Sequence, residues 1–255
     1  MGDEHTTPMK SVVTALDILE TLQEQGTAGV SEIADASGRP KSTVHRHLDT
    51  FLECGYVVKE DTEYCIALKS LRLASSALSR QLVYPVTKSV VQELAAETGE
   101  SAAIAVEENG RAVYLCYDRA NQAVRTDARL GIQLCLHCTG AGKAIFAHMS
   151  EAERDAVIEQ HGLPKKTDRT ITDRDELEDE LAEIRETGLS FDDEERVDGM
   201  RGIATPIQNR ETGELLGALT VAGPTRRING ERFRTELPDL LRRASKMVEV
   251  NITYS

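Results

Sequence analysis

The sequence predicts an α+β protein in two parts: a winged helix-turn-helix at the N-terminus, then a larger domain in which helices flank an antiparallel sheet. Two observations predict it. Over residues 10–68, segments of helical periodicity give way to two short β-prone runs around a polar turn, in the order helix, helix, turn, helix, hairpin. Beyond residue 100, apolar β-prone runs come in two pairs, each joined by a turn sequence, with amphipathic segments between and after them. At 255 residues, 40% hydrophobic and 29% charged, the chain can bury a sizeable core and should fold.

Each element follows from its residues. Apolar positions Val12, Ala15, Leu16, Leu19 and Leu22 give a first helix over Lys10–Gln25, stopped by Gly26. Ser31 is the expected cap of a short helix packing Ile33 and Ala34, with Gly38 as its turn residue. Pro40 suits the first position of a third helix, whose apolar side is Val44, Leu48, Phe51 and Leu52 and which ends at Gly55. YVVKEDTEYCIAL reads as a hairpin turning over Glu60–Glu63. Helices are expected over 71–81 and 83–97, the second with Pro85 in its first turn, then strands over Ser101–Val106 and Ala112–Tyr117 joined by EENG. A less regular stretch precedes a helix over Gly140–Met149. Ser150 and Glu153 form a capping-box pattern for the next helix, and Thr172 opens a very acidic one that Gly188 closes. GIATPI and LLGALTVAG read as a hairpin of buried strands around NRETGE, and Asn229–Val250 as a final helix that Pro238 can kink.

Charge is unevenly spread. The formal net charge is -13, and residues 150–200 alone hold 18 carboxylates against 7 basic side chains. Only nine residues are lysines, a pattern shared with proteins of salt-accumulating halophiles and with merely acidic mesophilic ones. Against this background SGRPKSTVHRHL, residues 37–48, carries Arg39, Lys41, His45, Arg46 and His47 and no carboxylate. A helix that enters the major groove needs that composition: cations meet phosphates, small hydroxyls allow close approach, and an acid would be repelled. Five cysteines in an odd set without framework spacing are expected to be reduced. No apolar run is long enough to span a bilayer, and the start MGDEHTTP has neither a basic nor an apolar leader region, so a cytoplasmic protein is expected. MGDEHT fits the loose myristoylation pattern, but nothing basic follows to add the second signal that stable anchoring requires.

GVSEIADASGRPKSTVHRHLDTFLECGYV closely resembles the DNA-binding domain of IclR-type transcriptional regulators. The resemblance continues in LHCTGAGKAIFAH, GLSFDDEERVDGMRGIATPI and LTVAGPTRRI, in the family's order over nearly the whole chain. It implies a winged helix-turn-helix over residues 1–68, a linker helix over 69–82 and a GAF-like effector-binding domain over 83–255. It further implies a dimer or dimer of dimers, a double-stranded palindromic operator, a small organic acid as effector, no cofactor and no catalytic role. The residues carried over are Arg39, Lys41, Ser42, Thr43, His45 and Arg46 for DNA, and, for the effector, Gly140 and Ala141 through their backbone, Asp192, Gly202, Thr220 and Ala222. Some relatives have hydrogen-bonding side chains where this chain has Gly202 and Ala222, which implies a larger, less polar pocket here.

LCLHCTGAGKAIFAH admits other readings. Cys135, His137 and Cys138 are spaced as metal ligands, with Cys116 the nearest fourth by strand topology, or they simply fill a strand end. Two further functions stay open: a GAF-like redox enzyme using Cys135 or Cys138, which leaves the first 65 residues unexplained, and a DNA-binding protein whose second domain only oligomerises.

Overall fold

A computed structural model describes residues 8–124 and 126–253, so the expectations placed on MGDEHT lie outside the described residues. Two compact units divide at Arg80 and Gln81.

The first unit runs α1 (Lys10–Gln25), β1 (Thr27–Gly29), α2 (Val30–Ser37), α3 (Lys41–Cys54), β2 (Val57–Glu60) and β3 (Glu63–Ile66), then a 3-10 turn at Leu68–Ser70 and α4 (Leu71–Leu78). It is a winged helix-turn-helix whose wing gains β1 as a third strand, in the order β1-β3-β2. Ile18, Leu22, Ile33, Val44 and Leu48 form its core, closed by Val57 and Tyr64 of the wing. The α1 face differs from the expected one. Ile18 and Leu22 are fully buried, whereas Val12 and Leu16 stay 50% and 53% exposed. A helix can turn only one stripe to its neighbours, and the i, i+4 pair at 18 and 22 inserts against α2 and α3. The α2 cap also moves: Gly29 takes the N-cap position and its N–H donates to Glu32 Oε2 at 2.8 Å, leaving Ser31 inside the first turn. Gly38 adopts φ +65°, the left-handed turn that ends α2 and redirects the chain into α3.

The second unit comprises α5 (Tyr84–Thr98), β4 (Ser101–Glu108), β5 (Arg111–Arg119), β6 (Gln133–Cys135), α6 (Gly140–Phe146), α7 (Glu151–His161), α8 (Arg174–Thr187), β7 (Ser190–Asp193), β8 (Met200–Gln208), β9 (Leu215–Pro224) and α9 (Leu237–Thr253). Its six strands form one antiparallel sheet in the order β6-β5-β4-β9-β8-β7. Helices α5 and α9 pack on the sheet and on each other, while α6 joins the core built on Ala103, Ala105, Ala204 and Ala218 together with Leu177 and Leu181 of α8. Those alanines are why α6 can lie so close. A Cβ on Gly140 would sit 3.5 Å from the β8 backbone, and one on Gly142 would meet the Leu136 carbonyl at 2.5 Å.

Several boundaries shift for local reasons. The helix expected to reach Met149 ends at Phe146, and the acidic α8 is capped by Asp173, which accepts the Asp175 and Glu176 N–H groups, not by Thr172. A π-helical turn over Arg232–Glu236 precedes α9, whose second residue, Pro238, has no N–H to offer a regular helix. Edge strand β7 has no counterpart among the expected elements, and β6 only the strand end expected at Cys135. No helix of the described residues is long and apolar enough to cross a membrane.

Candidate nucleic-acid interface and ligand pocket

The N-terminal half of α3 presents the basic segment. Lys41, Ser42, His45 and Arg46 are exposed and Thr43 is half-exposed, while Val44 and Leu48 on the opposite face are buried. The first turn holds no acid, so the positive helix end is not neutralised there. Arg39 is placed differently: its guanidinium donates to Asp17 of α1 at 2.5 Å. That ion pair fixes the turn before α3 against α1. His45 Nδ1 lies 2.9 Å from Asp49 one turn on. The wing tip, Glu60-Asp61-Thr62-Glu63, is acidic and exposed, and suits phosphate contact poorly.

In the second unit the strand registers align Asp192, Gly202, Ala222 and Ser101 in one row across β7, β8, β9 and β4. This row floors a cavity of about 60 Å³, with Thr139 and Gly140 at the start of α6 as one wall, and Thr220, Tyr114, Tyr117, Arg196, Val197, Met200 and Arg201 around it. Five of the six residues carried over by resemblance therefore line one space. Ala141, carried over for its backbone, is absent from that lining, and its side chain is in the core beneath α6 at 1% exposure. Thr220 Oγ1 donates to the Ile203 carbonyl at 2.9 Å.

Sequence reading missed the tyrosines. Strict alternation along β5 would send Tyr114 and Tyr117 to opposite faces, but the β4–β5 register slips between Ile104 and Ala105, so that Cys116 and Tyr114 pair with consecutive residues. The bulge absorbs one residue and brings both phenols to the pocket. Tyr117 Oη sits 3.3 Å from Ser101 Oγ, and burial pushes the Tyr114 phenol up to about 12, so it is a neutral donor.

Burial, reinforced by the charge of Glu195, pushes the Asp192 carboxyl up to about 7, although Oδ1 accepts the Glu195 N–H at 2.8 Å. The loop that follows is tightly held. Glu194 adopts φ +67°, Thr167 Oγ1 donates to its carbonyl at 2.7 Å, and Thr170 Oγ1 donates to the Glu195 carbonyl at 2.6 Å. From α6, Lys143 reaches Glu195 at 2.6 Å and Glu180 at 2.8 Å. Burial opposes charge on Lys143 and also pushes the Glu195 carboxyl up, but an ammonium flanked by two carboxylates is the arrangement that the geometry supports as ionised.

Cys135, His137 and Cys138 come together with their ligand atoms within 4.8 Å of one another. Cys116 is not with them; its sulfur lies 3.8 Å from Thr87 Oγ1 of α5. His137 Nε2 donates to the Pro164 carbonyl at 3.2 Å, and burial pushes its pKa below the usual imidazole range.

A winged helix-turn-helix with an acid-free basic helix start, carried on one chain with a pocket-bearing antiparallel sheet, defines a DNA-binding regulator with an effector-binding domain. Residues 11–61 match the IclR helix-turn-helix domain and residues 75–250 the bacterial transcriptional regulator IclR C-terminal domain. The chain belongs to the IclR family of transcriptional regulators. It is 32% identical over 254 residues to the acetate operon repressor of Salmonella typhimurium, covering 98% of this chain and 91% of that one. The crystal structure of the Thermotoga maritima IclR superposes with a TM-score of 0.79 at 26% identity, over 96% and 99% of the two chains. An IclR homolog from Microbacterium hydrocarbonoxydans, solved as a complex with 4-hydroxybenzoate, has a TM-score of 0.79 at 24% identity, over 96% and 100%.

Proposed function

We propose that this regulator binds a palindromic operator as a symmetric dimer or dimer of dimers, placing α3 of each subunit in the major groove, and that a small hydroxylated organic acid in the sheet pocket controls it. Two-fold symmetry then sets half-sites about 34 Å apart, or a multiple of it. Lys41, Ser42, Thr43, His45 and Arg46 make the contacts. Arg39 acts from its ion pair as a support for the turn. The chain works in the cytoplasm without catalysis, and residues 69–82 link the DNA-binding domain to the sensor. In a salt-accumulating cell, counterion release would contribute little, so base and shape contacts would supply more of the specificity.

The observation that carries the sensor reading is the row Asp192-Gly202-Ala222-Ser101 beneath Gly140, ringed by Tyr114 and Tyr117. Phenol and serine hydroxyls together with a carboxyl suit a ligand with its own hydroxyl, and the relative bound to 4-hydroxybenzoate carries such a ligand. The small residues at 202 and 222 leave room above the sheet. Signalling requires the ligand to prefer one arrangement of the oligomer, since equal affinity for both shifts nothing.

Two measurements test this. Arg46→Ala is expected to weaken operator binding by about 1–3 kcal/mol with an unchanged melting temperature, because the side chain is exposed and outside the core. Unchanged affinity in a footprinting titration would remove α3 from the groove. Asp192→Ala is expected to abolish the effector response in a reporter assay while operator binding without effector persists. A full response from that variant would take Asp192 out of the site. Thermal shift against a panel of organic acids separates this reading from a second domain that only oligomerises, which would show no stabilisation by any of them.

A further inference from the structure

The sequence CLHC at 135–138 places two cysteines three apart at the end of β6, just before the cap of α6. Their sulfurs lie within 4.8 Å of each other. Cys135 is half-buried and lines an open cavity of about 370 Å³ together with Cys138, Asp127, Lys166 and Arg196. Arg111 Nη1 donates to Cys135 Sγ at 3.0 Å. That guanidinium is itself held. Its Nη2 donates to His161 Nδ1 at 3.2 Å, while His161 Nε2 donates to the Asn109 carbonyl at 2.8 Å.

From this arrangement we infer that Cys135 and Cys138 form a hydroperoxide-reactive dithiol, Cys135 attacking as the thiolate and Cys138 closing an intrachain disulfide. A guanidinium in contact with a sulfur favours the thiolate and disfavours a metal cation in the same place, which is why oxidation and not metal binding is the chemistry assigned here. The Cys138 thiol beside it and the Arg111 guanidinium hold Cys135 well below the usual thiol range, while Cys135 and burial push Cys138 up. One sulfur is thus poised as nucleophile and the other remains protonated. The cavity admits a small hydroperoxide to Cys135.

The chemistry closes without a further reagent. The Cys135 thiolate attacks the O–O bond of the hydroperoxide; an S–O bond forms, the O–O bond breaks, and the departing alkoxide or hydroxide takes a proton from water. Cys138 then attacks the sulfenic sulfur; an S–S bond forms, the S–O bond breaks, and the Cys138 proton leaves with the hydroxide as water. Two thiols lose two electrons, and the hydroperoxide is reduced to an alcohol, or to water, with a second water released. Closing the pair to the usual S–S length of about 2.05 Å must move this segment. Thr139 Oγ1 donates to the Cys135 carbonyl at 3.2 Å and accepts the Gly142 N–H at 3.0 Å, so the strand end and the start of α6 are joined. The chemistry stands without the ligand reading of the neighbouring pocket.

The test uses the full chain, reduced and desalted, with one equivalent of hydrogen peroxide. The five free thiols are expected to fall to three, with a Cys135–Cys138 disulfide in the peptide map. In Cys138→Ser the reaction should stop at a Cys135 sulfenic acid that dimedone traps, and Cys135→Ser should lose no thiol on the same timescale. Iodoacetamide should label Cys135 at a rate nearly flat from pH 6.5 to 8, where that of glutathione climbs steeply; Arg111, Lys166, His137 and Asp127 are the charged or titratable groups facing the sulfurs. Thiol loss confined to the exposed Cys54, or zinc released stoichiometrically by a chelator with Cys135 unreactive until then, overturns the proposal. The wild-type thiol count and peptide map decide it even if a variant fails to fold.

Discussion

Lys143→Met is expected to destabilise the second unit by about 3–5 kcal/mol, the cost of stranding a buried charge, and to lower its melting temperature by roughly 6–20 °C. Lys143 has no exposed surface, and its ammonium lies 2.6 Å from Glu195 and 2.8 Å from Glu180. Glu180 can turn to solvent, since its side chain is 30% exposed, but Glu195 cannot. Glu195 Oε2 already has no partner, so the variant would leave that carboxylate with little to offset its burial. The sign of the pH dependence follows. With the lysine gone, the folded-state pKa of Glu195 rises further above its unfolded value, so the variant loses stability as pH rises through the window between them. Urea denaturation at pH 5 and pH 7.5 should therefore show a smaller deficit at pH 5, and Lys143→Met with Glu195→Leu should recover most of the loss. A deficit below 1 kcal/mol at both pH values would mean that the pair is not buried as described.

That lysine marks how far the sequence could be read. Lys143 sits in GAGKAIF, a charged residue inside an otherwise apolar helix, and its position alone could have flagged a buried ion pair; its partners, 37 and 52 residues away, could not be found without the fold. The helices of the first unit were legible because their stops are glycines with left-handed φ at 38 and 55 and their core spacing is regular. The face of α1 was not, because Val12, Val13 and Leu16 are as apolar as the residues it buries. Strand β7, Ser190–Asp193, reads as polar because it holds two aspartates, one of which lines the pocket, so function hid the element. Tyr114 and Tyr117 were hidden by a bulge, which breaks the two-residue period on which strand reading depends.

For an anionic effector, binding is expected to weaken above about pH 7, because Asp192 loses its proton there. Below that pH the carboxyl is neutral; it can donate to the ligand or accept a ligand hydroxyl through its carbonyl oxygen, and it carries no charge against the ligand. Above it, two negative charges share a cavity of about 60 Å³, close enough that solvent screens them poorly. Binding that requires the protonated form loses about tenfold in affinity per pH unit beyond the pKa, or 1.36 kcal/mol. The other groups facing Asp192 do not reverse this. Glu195 adds to the repulsion and is offset by Lys143, Arg196 and Arg201 are paired with Asp127 and Asp193 and keep their charge throughout, and Tyr114 stays neutral well past this range. Isothermal titration at pH 6, 6.5, 7.5 and 8.5 should use the panel acid that gives the largest thermal shift, with 4-hydroxybenzoate among those tried. Wild type should lose roughly tenfold between pH 7.5 and 8.5. Asp192→Asn keeps the shape and an acceptor oxygen but has no proton to lose, so its affinity should stay level and exceed that of wild type at pH 8.5. If both proteins bound the acid equally at every pH, Asp192 would not face the anion, and the pocket floor would have to hold the ligand through the hydroxyls of Ser101, Tyr114 and Tyr117 instead.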